Sequence, residues 1–402
     1  MESMNRPAIA FGVSLTVLGL LALGAELGFR ALAPEAARTP LDNFRRYLLT
    51  GQAHGYEARA YTVYQKQPGI NGNSFGFSDW QWTRERTAGV PRIACLGGST
   101  TEGGNPRGSK GSYPHLLELE LERRTGRDFE VLNAGISGWT SAEMLVAWFL
   151  TIQDFQPDVV VLHEAVNDLE PRFLANYEPD YSHWRRPVQT HPAVGLERLL
   201  VRCSNLYLYL QLRGGKAPEI LDVTTDRSAP KEPMTAEGKL PHATSFAFRR
   251  NILSIARSAR ADGSEVVLMT LPTNPVCKIG AFWPYGIAEN NQHLRELCSE
   301  HGLLLVDADA AFRARPELAA EFLDVVHLQP AGNQVKAELV ADALAEWVGK
   351  LSPVGARAPA DGQRPPRRRR KRVQKSRRTR SSLPGTNSSS GVRPRAARTT
   401  SQ

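Results

Sequence analysis

Residues 93–103 read IACLGGSTTEG, and this stretch decides the fold. Ile93–Leu96 are small or apolar, as in a short strand that is buried on both faces. Gly97 and Gly98 then allow the backbone to turn sharply where the strand ends. The turn places the hydroxyl of Ser99 where open α/β sheets bind ligands. From this stretch alone, Ser99 is either a nucleophile or the cap of the following helix.

Outside this stretch, strand patterns alternate with helical patterns. Four further strands are predicted at Phe129–Leu132, Pro157–Leu162, Glu265–Thr270 and Leu303–Val306. Helices are predicted from Ser112 to Gly126, from about Ser141, over Phe246–Ala261, over Ala288–His301, and from Pro330 to about Val348. Such alternation predicts an α/β fold, with a mostly parallel five-stranded sheet that helices cover on both faces.

Two stretches depart from this alternation. Residues 39–91 are rich in aromatic, Gly and Asn residues with little periodicity, and we expect an extended approach segment that packs on the domain. Residues 170–245 hold many Pro, Arg and aromatic residues and only a short apolar helix near Leu199–Leu212. They are predicted to be an insertion in a domain of residues 92–351, and a candidate lid or substrate-shaping segment because they follow a strand end.

The positive charge of the chain is concentrated at its C-terminus. Residues 352–402 hold 15 of the 50 Lys and Arg residues and one acid, so the other 351 residues carry 35 basic and 40 acidic side chains. Specific binding of nucleic acid by the body is therefore not expected. The tail cannot bury apolar area and is predicted to be disordered. It either contacts an anionic surface or has no dedicated role.

The four cysteines predict neither a metal site nor a cofactor. Cys95, Cys203, Cys277 and Cys298 form no CxxC motif and no Cys/His cluster with metal spacing. Cys95 lies in the first predicted strand, where a free thiol behaves as a small hydrophobic group. The sequence leaves open whether the other three form a disulfide.

Residues 8–29 are predicted to anchor the chain in a membrane, within an N-terminal unit of residues 1–38. Ala8–Ala25 contain no charge over 18 positions, and the apolar run continues beyond Glu26. About 20 apolar residues cross a bilayer core, whereas the apolar region of a cleaved signal peptide is typically about 7–15 residues long. More Arg residues follow this run than precede it, which by the positive-inside rule places the body in the cytoplasm.

Five residues that can carry acyl transfer lie at the carboxyl ends of predicted strands or in the loops that follow. They are Ser99, Gly138, Asn167, Asp324 and His327. His327 could accept the proton of Ser99 while Asp324 holds the imidazole. The backbone N–H of Gly138 and the amide of Asn167 could receive an oxyanion. Each has an ordinary structural explanation as a turn glycine, a cap or a structural histidine, but their shared position favours a catalytic site.

Four blocks of the sequence resemble those of SGNH (GDSL-like) hydrolases. They are GGST at 97–100, NAGISG at 133–138, AVND at 165–168 and DVVH at 324–327, in the order of that family. The resemblance covers roughly residues 73–348 and implies a three-layer α/β/α fold of flavodoxin type. It also implies hydrolysis of esters through an acyl-enzyme on Ser99, with Asp324 and His327 completing the triad. Ser99, Gly138 and Asn167 would be the oxyanion donors.

Two positions depart from the family pattern. Gly98 stands where the family often has Asp, and we expect this to alter loop packing more than chemistry. Ala165 stands where a Gly is usual, and we expect it to narrow the site. Members with one N-terminal anchor and a segment like Phe75–Phe77 resemble bacterial envelope proteins whose catalytic domain lies outside the cytoplasm. That implication opposes the charge count, and it favours a periplasmic or other extracytoplasmic domain.

The expected function is a serine esterase that cleaves an O-acyl ester, with a short acyl chain and an acetylated glycan as the candidate substrate. An O-acyltransferase that uses a sugar hydroxyl in place of water stays open, and so does an anchored binding module with a degenerate site. The sequence specifies neither the acyl group, nor the alcohol, nor the oligomeric state.

Overall fold

The computed structural model describes residues 5–32, 35–50, 56–69, 71–103, 108–186, 193–214, 224–232, 246–276 and 282–351. The basic tail at 352–402, for which disorder is predicted, lies outside the described residues.

Strands and helices are numbered in chain order. Strands are β1 Tyr56–Arg59, β2 Val63–Lys66, β3 Arg92–Gly97, β4 Glu130–Gly135, β5 Val159–His163, β6 Glu265–Met269 and β7 Leu304–Val306. Helices are α1 Asn5–Leu32, α2 Glu35–Thr50, α3 Ser99–Glu102, α4 Tyr113–Thr125, α5 Ser141–Ala147, α6 Gly195–Cys203, α7 Asn205–Arg213, α8 Phe246–Ala261, α9 Phe282–His301, α10 Ala308–Arg313, α11 Pro330–Ala343 and α12 Ala345–Lys350.

The main sheet has five strands in the order β4-β3-β5-β6-β7, and all neighbouring pairs are parallel. Strand β3 is the stretch predicted first, and all six of its residues are buried. In the register, Gly97 lies opposite both Gly135 of β4 and His163 of β5. The carboxyl ends of these three strands are therefore level, and the loops that follow them meet at one edge of the sheet.

Alternation of side chains along β3 fills two cores on opposite faces of the sheet. Ala94 and Leu96 belong to a core that also contains residues of α5, α8 and α9. Ile93 and Cys95 belong to a second core that contains residues of α4 and α11. These are the three α/β/α layers, so the predicted fold class is confirmed.

Most helix boundaries follow from local signals. Helix α4 ends at Gly126, whose φ of +66° is the left-handed conformation that commonly closes helices. Helix α5 begins with a capping box in which Thr140 and Glu143 bond each other's backbone N–H. Helix α9 begins at Phe282, six residues before the predicted start, because a helix tolerates Pro284 in its first turn. The last predicted helix is divided at Leu344 into α11 and α12.

The prediction of an extended segment at 39–91 is wrong for its first part, because residues 39–50 lie in α2. Leu41 and Phe44 recur at helical spacing and are buried against Val201 and Leu208 of α6 and α7. Those partners are about 160 residues away in the chain, so short-range periodicity alone could not show the contact. The later part does pack on the domain, where Phe77 lies in the same core as Leu96.

Helix α1 is long and apolar enough over Phe11–Leu32 to cross a membrane, and most of its described side chains there are exposed to the surroundings. A signal sequence near the N-terminus can also meet these criteria of length and composition. The last turns of α1 contact α7 of the insertion.

Candidate active site

Ser99, His327 and Asp324 form a continuous series of hydrogen bonds at the carboxyl edge of the sheet. His327 Nε2 lies 2.7 Å from Ser99 Oγ, and His327 Nδ1 lies 2.6 Å from Asp324 Oδ2. An ionised carboxylate can only accept a hydrogen bond, so Nδ1 carries the proton that is donated to Asp324. Nε2 is then free to accept the hydroxyl hydrogen of Ser99. The structure thus brings together three of the five predicted site residues in direct contact.

The loop that carries His327 is held by Asp324 itself. The second carboxylate oxygen, Oδ1, accepts the backbone N–H groups of Val326 at 2.9 Å and His327 at 2.8 Å. Partial burial acts to raise the pKa of Asp324, but these donors and the imidazole outweigh it and hold the pKa below its usual range. The carboxylate is therefore ionised at neutral pH, and it orients the imidazole.

Gly138 adopts the left-handed conformation, with φ of +77°, in the loop after β4. The carbonyls around it are fixed by three different side chains. Ser137 O accepts the hydroxyl of Tyr64 at 2.8 Å, Gly138 O accepts Nη2 of Arg185 at 2.6 Å, and Trp139 O accepts Nδ2 of Asn167 at 2.8 Å. Because successive peptide planes are fixed, the direction of the Gly138 N–H is fixed as well.

The Asn167 amide lies beside the turn that carries Ser99. A Cβ built on Gly98 would be 2.4 Å from Asn167 Nδ2. Both N–H groups of this amide have protein acceptors, Trp139 O at 2.8 Å and Glu164 Oε2 at 3.2 Å. The bond to Glu164 is the longer of the two, so it is the one that a substrate oxygen would most readily replace.

Glu164 explains why position 98 lacks a side chain. The same Cβ on Gly98 would lie 2.4 Å from Glu164 Oε2, so this carboxyl group fills the space that an Asp side chain would need. Its other oxygen, Oε1, accepts the backbone N–H groups of Ala165, Val166 and Asn167 at 3.0, 2.6 and 2.7 Å. Burial and the nearby Asp168 raise the pKa of Glu164 to about 8. The change in loop packing that is expected at Gly98 is therefore a close approach of Glu164, a residue that no sequence motif identified.

Replacing Gly98 by alanine should lower kcat, because the new methyl group must displace either the Asn167 amide or the Glu164 carboxyl. We expect a loss of at least about tenfold, with an upper limit near the 10²–10³-fold that removal of one oxyanion donor costs. Steady-state kinetics on an aryl ester measures it. Gly349→Ala, at a position with open space around it, is the matched control. Equal kcat in the two variants would contradict the proposed contact.

Two further residues near the site were missed by sequence reasoning. Arg185 of the insertion pairs with Glu143 at 2.6 Å while it holds Gly138 O, and both side chains are buried. Lys336 of α11 donates to Thr100 O at 3.0 Å and contacts His163 Nε2 at 3.3 Å. Burial lowers the pKa of Lys336 to about 7. Neither side chain lies near Ser99 in sequence, and no motif indicates either of them.

His163 and Ala165 have structural surroundings. His163 is buried, and its Nδ1 lies 3.2 Å from Met269 O. Ala165 is buried in an apolar cluster that includes Val325 and Val326, so it supports the loop that carries His327. In the described part of the chain, no group of three His, Cys, Asp or Glu side chains is arranged to hold a metal ion.

The three-layer α/β/α fold and this edge of the sheet are those of a hydrolase of the SGNH type. Residues 95–335 match the sequence profile of the GDSL-like lipase/acylhydrolase family, and the chain belongs to that family. It is therefore a hydrolase that acts on ester bonds. A search of curated proteins found no match.

Several solved structures are similar to this chain. A lipase/acylhydrolase from Enterococcus faecalis is 17% identical, with 66% of this chain and 98% of that chain covered and a TM-score of 0.42. An α/β hydrolase from the metagenome of Lake Arreo, Spain, is 16% identical, with 68% and 100% covered and a TM-score of 0.42. A variant of an acetyl xylan esterase from Geobacillus stearothermophilus is 16% identical, with 64% and 96% covered and a TM-score of 0.41.

Proposed function

We propose that the protein hydrolyses an O-acyl ester through an acyl-enzyme on Ser99, with His327 as the general base and Asp324 as its orienting partner. The observation that carries the proposal is the hydrogen-bond series from Ser99 Oγ through the imidazole to the Asp324 carboxylate, with lengths of 2.7 and 2.6 Å. A hydroxyl, a base and a group that orients the base are the parts that nucleophilic acyl transfer needs.

The first half of the proposed reaction forms the acyl-enzyme. Ser99 Oγ attacks the carbonyl carbon of the ester while its proton moves to His327 Nε2. The tetrahedral intermediate collapses as the imidazolium gives that proton to the leaving alcohol oxygen. In the second half, His327 takes a proton from a water molecule that attacks the acyl carbon, and it returns the proton to Ser99. The products are an alcohol and a carboxylic acid.

We assign the oxyanion to three donors, the backbone N–H groups of Ser99 and Gly138 and the side-chain amide of Asn167. Ser99 is the first residue of α3, so its N–H has no acceptor within that helix. Gly138 is fixed by the neighbouring carbonyl contacts. Asn167 must exchange its long bond to Glu164 for the developing oxyanion. Such tightening on the way to the transition state is common, because catalytic hydrogen bonds are often long in the free enzyme.

We take the acyl group to be short and the alcohol to belong to a glycan, so acetylated polysaccharides are the first candidate substrates. A panel of aryl esters of increasing chain length measures the acyl preference. Incubation with an acetylated glycan, with and without a second glycan as acceptor, separates hydrolysis from transfer. Free acetate as the main product in both reactions supports the hydrolase, whereas acylated acceptor supports the transferase.

A fluorophosphonate probe tests the nucleophile directly. We expect one covalent adduct on the full chain, located at Ser99 by peptide mass spectrometry, because the bond to His327 Nε2 activates that hydroxyl. Ser99→Ala should take up no probe, whereas Ser254→Ala, which alters an exposed hydroxyl on α8, should be labelled like the native enzyme. Continued ester hydrolysis by a chain whose Ser99 stays unlabelled at saturating probe would contradict the proposal.

A further inference from the structure

We propose that the hairpin formed by α6 and α7 lies on the surface of a lipid bilayer beside α1 and holds the domain against that surface. The inference depends on α1 crossing the bilayer, and it is independent of the proposed esterase activity. It rests on three observations, which are the contacts between α1 and the hairpin, the exposed apolar face of the hairpin, and its charge.

The junction between α1 and the hairpin is made by Glu26 and Arg30. The Glu26 carboxylate accepts the Ser204 hydroxyl at 2.8 Å and the backbone N–H groups of Asn205 and Leu206 at 2.8 and 2.9 Å. It therefore caps the N-terminus of α7, where unpaired N–H groups and the helix dipole favour an anion. Arg30 bonds the same carboxylate at 2.6 Å and donates to Cys203 O, at the end of α6, at 2.5 Å.

These contacts explain why an acid interrupts the apolar run of α1. A charged side chain exposed to lipid hydrocarbon is costly, and within spans such residues usually find polar partners. Glu26 has its partners in the α6–α7 turn, so this turn must lie at the level where α1 leaves the hydrocarbon. Glu26 is bound both by Arg30 of α1 and by the α6–α7 turn. The hairpin therefore stays at a fixed depth relative to the part of α1 that crosses the bilayer.

Apolar contacts with α1 and α2 also hold the hairpin in place. The rings of Phe29 in α1 and Tyr209 in α7 have centroids 5.0 Å apart. On the other side, Val201 and Leu208 are buried against Phe44 of α2. The hairpin is thus packed between α1 and α2 and does not stand alone.

The remaining face of the hairpin exposes large apolar side chains. Val194, Leu196, Leu199 and Leu210 are 71%, 71%, 56% and 60% exposed. Leu196 and Leu199 are three residues apart and so lie on one face of α6. Grouped apolar side chains on a surface mark an interaction site. The hairpin packs on α1, whose own apolar side chains are exposed next to the junction, with Leu23 at 54% and Leu27 at 57%. Lipid is the occupant that covers the apolar side chains of both elements.

The charge of the hairpin fits the same surface. Residues 193–214 contain three arginines, Arg198, Arg202 and Arg213, all exposed, and one acid, Glu197. Apolar side chains on one face and arginines around them are typical of helices that lie in the membrane interface, where the guanidinium groups meet phosphates.

The insertion also links this surface to the candidate active site. Arg185 holds the Gly138 carbonyl, and the chain from Arg185 to Val194 can extend at most ~30 Å. The hairpin and the Gly138 loop are thus connected through one short stretch of the insertion.

Depth-dependent quenching tests the proposal on the full chain in nanodiscs of zwitterionic and of partly anionic phospholipid. An environment-sensitive fluorophore is attached to Leu199→Cys in a background with Cys203→Ser and Cys277→Ser. Leu119→Cys, an exposed leucine on α4, carries the same probe as the matched control. Nitroxide groups at shallow positions of the lipid should quench the Leu199 probe severalfold more than the Leu119 probe, with stronger quenching in anionic lipid.

Equal quenching at the two positions would overturn the proposal, and so would failure of the chain to enter nanodiscs. A Leu199 probe that is shielded from water but not quenched by lipid, together with a dimer in the same sample, would assign the face to a second copy of the chain and would also overturn it. Glu26→Gln offers a second measurement. It should reduce the quenching difference, because it loosens the α7 cap, while uptake into nanodiscs should stay unchanged.

Discussion

Replacing Ser99 by alanine should lower kcat for a short-chain aryl ester by about 10⁶-fold, the loss seen when the serine of a comparable triad is removed. The variant keeps the binding surface and the oxyanion donors but has no atom that can form the acyl-enzyme. The hydroxyl of Ser99 contacts His327 Nε2, and its loss creates no large cavity. Thermal unfolding should therefore be close to that of the native chain.

Single-turnover kinetics with a chromogenic ester measures this loss down to the background rate. The Ser254→Ala variant, with a hydroxyl removed from the surface of α8, should keep full activity. Activity of Ser99→Ala within tenfold of the native enzyme would exclude Ser99 as the nucleophile. Ser141 is not expected to replace it as the nucleophile, because its hydroxyl is already bound to Asp168 and Asn251.

Replacing Asn167 by alanine should lower kcat by about 10²–10³-fold and leave KM nearly unchanged. The amide is proposed to bind the oxyanion, which exists only in the transition state and intermediate, so its loss should appear in kcat. If Asn167 had only a structural role, the kinetic result would differ. Its replacement would release the Trp139 carbonyl that it also bonds, substrate binding would be disturbed, and KM would rise.

Asn71→Ala, which removes an exposed amide far from the site in sequence, is the control. Steady-state kinetics on both variants, with circular dichroism to compare their folds, decides the role of the amide. A large rise in KM with kcat preserved would assign Asn167 to binding or loop structure and would remove it from the oxyanion donors.

The fold could be predicted from the sequence because its signals are local. The five strands of the main sheet are short, mostly apolar runs, and their alternation with helical patterns predicts a parallel sheet but neither its strand order nor its register. Ser99 and Asn167 follow the ends of β3 and β5, so the topology of a parallel sheet brings these two residues to one edge. Asp324 and His327 lie beyond α10, about 20 residues after β7 ends, so sheet topology alone does not predict their position.

The other parts depend on contacts between distant residues. Arg185 reaches Gly138 across 47 positions, and nothing in the irregular insertion singles it out. Helix α2 packs on α6 and α7, and because these partners lie about 160 residues later in the chain, the sequence around α2 does not show the contact. Gly98 was the one feature of the sequence that could have indicated a contact like that of Glu164. A missing side chain beside a nucleophile leaves a space that another group must fill.

The buried pair of Arg185 and Glu143 has a consequence for how substrate enters. Breaking such a pair costs about 3–5 kcal/mol, and lifting residues 171–186 away would also release the Gly138 carbonyl. This part of the insertion, for which a lid was one expectation, is therefore a fixed part of the site. We expect substrate to approach over Asp324 and His327, which keep 50% and 27% of their side-chain surface open to solvent.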